Sequence, residues 1–150
     1  MRRVLIGRIV WAATWLGAVV LAGGCGSSTP ASGRGDGSIR QDLPRGVGQI
    51  RTTHDREKLH AELARTLARL RREQGTTAAT RRGRQLAVQG FEATLKGVRS
   101  ELDFSENDRG EVAAATRDAV RADRYLTLGA RRLRAAGRSL GVHVGDLDGH

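Results

Sequence analysis

The chain has little of what small folded proteins ordinarily lean on. One cysteine, Cys25, stands among 150 residues, which excludes an intramolecular disulfide framework and any metal site built from several thiolates. Aromatic residues make up 3% of the sequence, too few for a sandwich core rich in rings or for the stacked rings of a single-strand nucleic-acid groove. Lysine is almost missing. Lys58 and Lys96 are the only two, so arginine supplies 24 of the 26 basic residues. No stretch alternates apolar and polar residues over strand length, so a sheet is not expected.

Motifs that carry chemistry are equally sparse. There is no glycine-rich phosphate loop, nucleophile elbow or metalloprotease helix motif, so no catalytic residue and no cofactor are assigned and an enzyme is not expected. His54 and His60 lie six residues apart and cannot share a helix face as an i,i+4 pair would. His143, Asp146, Asp148 and His150 make at most a weak metal-binding tail. A frayed terminus over 142–150 is the better reading, and no metal site is assigned.

What the chain does have begins with an apolar run. Met1-Arg2-Arg3 forms a short positive start, and residues 9–22 carry no charge. Small residues then lead to the cysteine in Leu21-Ala22-Gly23-Gly24-Cys25. This is the layout of a secretory signal peptide over residues 1–24. Its end resembles the lipobox of bacterial lipoproteins, with Ala22 where Leu is commonest. That resemblance covers about the first 25 residues. It implies cleavage before Cys25, a diacylglyceryl group on its sulfur, and a mature chain anchored to the outer face of the cell membrane. The competing reading is an uncleaved anchor, since residues 4–24 are long enough to span about 30 Å of hydrocarbon, although Arg8 and several glycines interrupt them. Arg2-Arg3 also faintly resembles a twin-arginine signal without its flanking residues.

Residues 25–49 are rich in Gly, Ser, Arg and Asp and contain Pro44, a composition that reads as a flexible spacer between membrane and domain. The Arg34-Gly35-Asp36 triplet within it matches an integrin-type motif by spelling alone.

Residues 50–141 carry helical periodicity. Leu59, Leu63, Thr66, Leu67 and Leu70 form one stripe on a helix over 53–74, with Thr52 or Thr53 as its cap and Gly75 as its stop. A second helix over 77–102 has two rows. Val88, Phe91, Leu95, Val98 and Leu102 form one. Ala79, Gly83, Leu86, Gly90, Ala93 and Gly97 form the other, and its glycines point to the close approach of a partner backbone. A third helix, capped at Ser105 with Glu106 and Asp108 in its first turn, holds a seam from Val112 through Ala115, Ala119, Ala122, Leu126, Gly129, Leu133 and Ala136 to Leu140. Short connections at Gly75-Thr76 and at 103–105 make sequential helices antiparallel. The expectation is an all-α, up-down-up three-helix bundle with coiled-coil-like seams, preceded by a signal peptide and a disordered linker.

The formal charge is +10, and the part after residue 24 keeps 23 basic against 16 acidic residues. Antiparallel packing gathers Arg69, Arg71, Arg72, Arg81, Arg82, Arg84, Arg131, Arg132, Arg134 and Arg138 at one end, and Asp55, Glu57, Glu101, Asp103, Glu106, Asp108 and Glu111 at the other. Helix-dipole complementarity accounts for much of this but not for Arg81, Arg82 and Arg84, which open a helix against its dipole. The arginine excess reads either as coding bias or as an anion-binding pole. With the linker entering at the acidic end, that pole would face away from the membrane. The leading expectation is a non-catalytic envelope lipoprotein that binds an anionic envelope polymer or anionic lipid, or scaffolds another component. One alternative is a protein-interaction module that self-associates or takes a partner through its Ala/Gly seams. Another is a lipid-anchored solute-binding protein. Nucleic acid is an improbable partner outside the cell.

Overall fold

A computed structural model of the chain describes residues 34–107 and 112–147. The expected signal peptide, Cys25 and the start of the expected linker lie outside the described residues. Four helices run through the rest: α1 (Arg34–Thr52), α2 (Arg56–Arg72), α3 (Ala78–Asn107) and α4 (Val112–Leu140). The all-helical class is as expected. The helix count is not.

The additional helix, α1, occupies residues assigned from composition to the flexible linker. It contains four glycines and, inside it, Pro44. Its apolar residues explain why it nevertheless forms. Ile39, Leu43, Val47 and Ile50, spaced 4-4-3, are all buried in the common core. Burying four aliphatic side chains is worth about 1.5–3 kcal/mol each. That offsets helix penalties of about 1 kcal/mol per glycine and about 3 kcal/mol for the proline, and Pro44 itself lies on the exposed side.

Helix α2 keeps its predicted stripe: Leu59, Leu63, Thr66, Leu67 and Leu70 are its buried residues. Its cap is Asp55 rather than Thr52 or Thr53, with Asp55 Oδ1 accepting the Lys58 N–H at 2.9 Å. Thr53 instead closes the last turn of α1, its N–H reaching the Gln49 carbonyl at 3.0 Å. Gly75 does not stop α2 through a left-handed conformation, because the C-cap is Glu73 in an extended one. Gly75 is required for space: a Cβ there would lie 2.7 Å from the Arg81 nitrogen.

Helix α3 begins with a reciprocal cap. Thr77 Oγ1 accepts the Thr80 N–H at 3.1 Å, and Thr80 Oγ1 accepts the Thr77 N–H at 3.0 Å. The helix then runs past the predicted break at 103–105. Arg99 and Asp103 pair at 2.9 Å along it, and Ser105, expected to cap the next helix, donates its hydroxyl back to the Leu102 carbonyl at 2.7 Å. The α3–α4 connection therefore falls after Asn107.

Helices α3 and α4 form the most extensive pair, and the glycine row of α3 is the reason. A Cβ on Gly83 would strike Leu140, one on Gly90 would lie 2.8 Å from Leu133 Cγ, and one on Gly97 would lie 2.7 Å from Leu126 Cγ. Three leucines of α4, seven residues apart, thus seat in three α3 glycine positions, also seven apart, in antiparallel order. Gly129 returns the contact, packing against Thr94 and the Gly90 carbonyl. Helix α4 ends in a Schellman turn: Gly141 has φ +65° and the Val142 N–H reaches the Gly137 carbonyl at 3.0 Å. Residues 142–147, expected to be disordered tail, fold back so that Val142, Val144 and Leu147 pack on the core.

The helices alternate in direction. Asp36 of α1 meets Thr76 in the α2–α3 connection, while Gln49 meets Thr66 at mid-α2. Helices α1 and α3 therefore start at the same end. The α3–α4 hairpin leaves its far tip uncovered: Val112 and Val120 are 86% and 64% exposed, and Phe104 is 39% exposed.

Candidate anion-binding pole

The end at which α1 and α3 begin is built around the α2–α3 connection. Asp36, in the first turn of α1, is its polar anchor. The carboxylate accepts the Thr76 hydroxyl at 2.6 Å and the Thr76 N–H at 2.7 Å. The Thr76 hydroxyl, then its N–H, and further out the Thr80 hydroxyl and Arg40, hold the Asp36 carboxyl below its ordinary range, against its partial burial. This contact ties the start of the described chain to the arginine end of the bundle. The linker, expected to arrive at the acidic end, is brought to the opposite one by the added helix α1.

The ten arginines proposed from sequence divide by what they touch. Arg69 is spent on α1, its Nε 3.3 Å from both oxygens of the buried Asp42 and its Nη2 3.2 Å from Thr66 Oγ1. Arg71 pairs with Glu92 at 2.7 Å. Arg84, one of the three that run against the α3 dipole, serves α2 instead. Its Nε and Nη2 donate to the Leu70 and Arg71 carbonyls, both at 2.7 Å, and so satisfy the last carbonyls of α2. Arg131 and Arg134 line a cavity of about 670 Å³ farther along α4, together with Leu133 and Leu147. Arg132 is half-buried on the same stretch.

Four remain exposed at the pole: Arg72 on the last turn of α2, Arg81 and Arg82 on the first turns of α3, and Arg138 at the end of α4. Ser139, next to Arg138, donates to the Ala79 carbonyl at 3.1 Å, which fixes that turn beside the start of α3. Arg81 Nη1 reaches the Thr76 carbonyl at 3.2 Å. None of the four has an acidic partner among the described residues. Arg40, exposed on α1, joins them from a segment whose composition suggests a linker. Among the described side chains, five guanidinium groups thus face solvent at this end, with Glu73 and the already engaged Asp36 as its carboxylates.

At the opposite end the described ion pairs are local ones. Arg56 Nε lies 2.9 Å from Glu101 Oε2, although its N–H is not aimed at that oxygen, which is left without a hydrogen bond. Arg99 holds Asp103. The cavity noted above opens between α3 and α4 near Ile50, with Arg56, Glu101 and Asp123 among its walls, a mixed charge set that selects neither sign. Among the described residues no group of three His, Cys, Asp or Glu side chains converges on a metal position, and no helix is long and apolar enough to cross a membrane. His143 and Asp146 are exposed on the returning tail, while Asp148 and His150 lie outside the described residues.

Comparison of the chain with protein-family models, with curated proteins and with solved structures found no match.

Proposed function

We propose that this is a non-catalytic, lipid-anchored envelope protein whose helical bundle binds an anionic component of the envelope through its arginine pole. One observation carries the reading: Arg72, Arg81, Arg82 and Arg138 come from three different helices to one end, and none has an acidic partner among the described residues. Arg99 and Arg121 hold carboxylates at i+4 and i−3, but Arg65, Arg117 and Arg124 also lack one among the described residues, so it is the gathering of four such arginines at one end that supports the reading. The lipobox resemblance at Cys25 supplies the anchor. The test has two parts. Mass spectrometry of the mature N-terminus should find an acylated Cys25. Replacing Arg72, Arg81 and Arg82 with glutamine should weaken retention on an anionic polymer and flatten its salt dependence, and unchanged retention would sink the proposal.

A second reading, self-association, is favoured by the uncovered tip of the α3–α4 hairpin. Most of the Ala/Gly seam is consumed inside the chain, but its first residue, Val112, and Val120 beside it on the same helix face solvent. Light scattering should then show mass rising with concentration, and Val120→Glu should abolish the rise. Ala122→Glu is unsuitable because Ala122 is buried and its carbonyl lies against Gly97.

A further inference from the structure

The proposed function leaves open which anion the pole meets, and the direction of α1 decides it. Cys25 precedes Arg34 by nine residues, and α1 begins at the arginine pole. Nine residues span at most about 30 Å when fully extended, and about 15–18 Å as a flexible coil. Helix α3 starts at the same pole and its 30 residues run about 45 Å to the far tip. A bundle standing on that tip would hold the start of α1 about 45 Å from the membrane, beyond the reach of the nine residues. The outward-facing arginine pole expected from sequence is therefore out of reach of the anchor. In its place, an anchor at Cys25 keeps the start of α1 within about 30 Å of the lipid surface, and the field of an anionic leaflet extends about 8–10 Å.

We infer that Arg40, Arg72, Arg81, Arg82 and Arg138 form a headgroup-binding face that seats the bundle, pole down, on the anionic phospholipid surface that holds Cys25. This rests on the reading of Cys25 as the lipidated residue. The acyl chains already retain the protein, so the arginines set its posture rather than its residence. Arginine suits the task because its planar fork takes two phosphate oxygens at once. The pole-down posture turns the exposed residues of the far tip, Phe104, Val112 and Val120, outward to the compartment.

The test uses the full chain, lipidated in a bacterial host and reconstituted into two kinds of vesicle. One contains phosphatidylglycerol mixed with phosphatidylcholine, the other phosphatidylcholine alone, and both carry a headgroup nitroxide lipid. A fluorophore is placed on Ala79→Cys at the pole or on Thr116→Cys near the far tip, both exposed positions. The pole label should be quenched on anionic vesicles and spared on zwitterionic ones, and the tip label should be spared on both. High salt should release the pole label. So should glutamine at Arg72, Arg81, Arg82 and Arg138 together, with far-UV circular dichroism confirming an intact fold. At about fivefold per arginine near an anionic surface, the four replacements should shift the seated-to-unseated ratio about 600-fold.

A pole label spared on anionic vesicles, or quenched equally on both kinds, overturns the inference. If soluble polyglycerol phosphate still binds the chain in that case, and the fourfold variant does not bind it, the arginine-pole function stands and only the membrane seat falls. If neither surface is bound, both fall. A mature N-terminus without acyl mass overturns the anchoring on which they rest.

Discussion

Two glycines in α1, two residues apart, are expected to respond in opposite directions to the same substitution. At Gly46 a Cβ would lie 2.5 Å from Phe91 Cζ, 2.8 Å from its Cε1 and 3.0 Å from Thr66 Cγ2. Both neighbours are fully enclosed, so the ring has no free end to swing aside. At Gly48 nothing lies within 4 Å of the added atom. Alanine gains about 1 kcal/mol over glycine in a helix interior, and that is the whole effect at Gly48. At Gly46 the same gain is set against overpacking of a closed core, which costs about 3 kcal/mol at the upper end of its usual range. The expected outcomes are a gain of about 1 kcal/mol for Gly48→Ala and a net loss of about 2 kcal/mol for Gly46→Ala.

For a domain of this size 1 kcal/mol moves the unfolding midpoint by about 4 °C. Thermal unfolding of the full chain in detergent, followed by far-UV circular dichroism, should therefore separate the two variants by roughly 12 °C. A flexible linker over these residues would make both substitutions silent. Equal midpoints, or a rise for Gly46→Ala, would refute the docking of α1 and with it the position of the arriving chain.

Four further outcomes follow from the described contacts. Leu133→Ala removes a fully buried side chain seated against a glycine that cannot fill the space, so its cost should lie toward the upper part of the 2–5 kcal/mol range. Gly90→Ala, harmful in the parent, should become neutral or stabilising in that background, and an additive double-mutant cycle would contradict the leucine-in-glycine packing. Thr77→Ala breaks the reciprocal cap of α3 and should lower stability by about 1 kcal/mol in urea unfolding. Asp36→Asn should lower the midpoint near neutral pH. The carboxyl is held below its ordinary range in the folded chain, so its contribution is complete above the unfolded pKa of about 3.9 and is lost as pH falls through the lower folded value. Parent and variant should thus converge in acid, and a gap that persists there would contradict the charged role of Asp36.

The three later helices were legible because their apolar positions repeat without interference. Leu59, Leu63, Leu67 and Leu70 form a stripe that nothing in the composition disputes, and the buried residues of α2 are those leucines with Thr66. The glycine row of α3 was readable as the close approach of a partner backbone, but the atoms nearest each site belong to a leucine side chain, with backbone next at 3.2 Å at Gly90 and Gly97. Helix α1 was masked. Ile39, Leu43, Val47 and Ile50 carry a helical spacing, but Gly35, Gly37, Pro44, Gly46 and Gly48 lie among them and read as linker. Gly46 is there because Phe91 occupies the place of its side chain, a tertiary fact that no local signal reports. The arginines followed the same rule. Arg69 and Arg84 looked like members of a charged pole, and their partners, Asp42 and the Leu70 and Arg71 carbonyls, appear only once the helices are set side by side.

Which end of the bundle a lipid anchor at Cys25 would hold to a membrane depends on the parity of its helices. Three antiparallel helices bring the arriving chain to the acidic end, and a fourth placed before them brings it to the arginine end. The charge layout is nearly the same in both arrangements, so no inspection of the arginines could have decided between them. The decision lies in the four aliphatic side chains that dock α1 and in the Asp36–Thr76 contact at its start. If α1 comes away, the free chain between Cys25 and Arg56 lengthens from nine residues to 31, with an extended reach of about 100 Å, and either end of the bundle can then face the lipid. Gly46→Ala, which loosens α1 without touching an arginine, should therefore reduce quenching of the pole label on anionic vesicles, whereas Gly48→Ala should leave it intact. A seated pole that is indifferent to Gly46→Ala would mean that the arginines hold the surface without help from the tether.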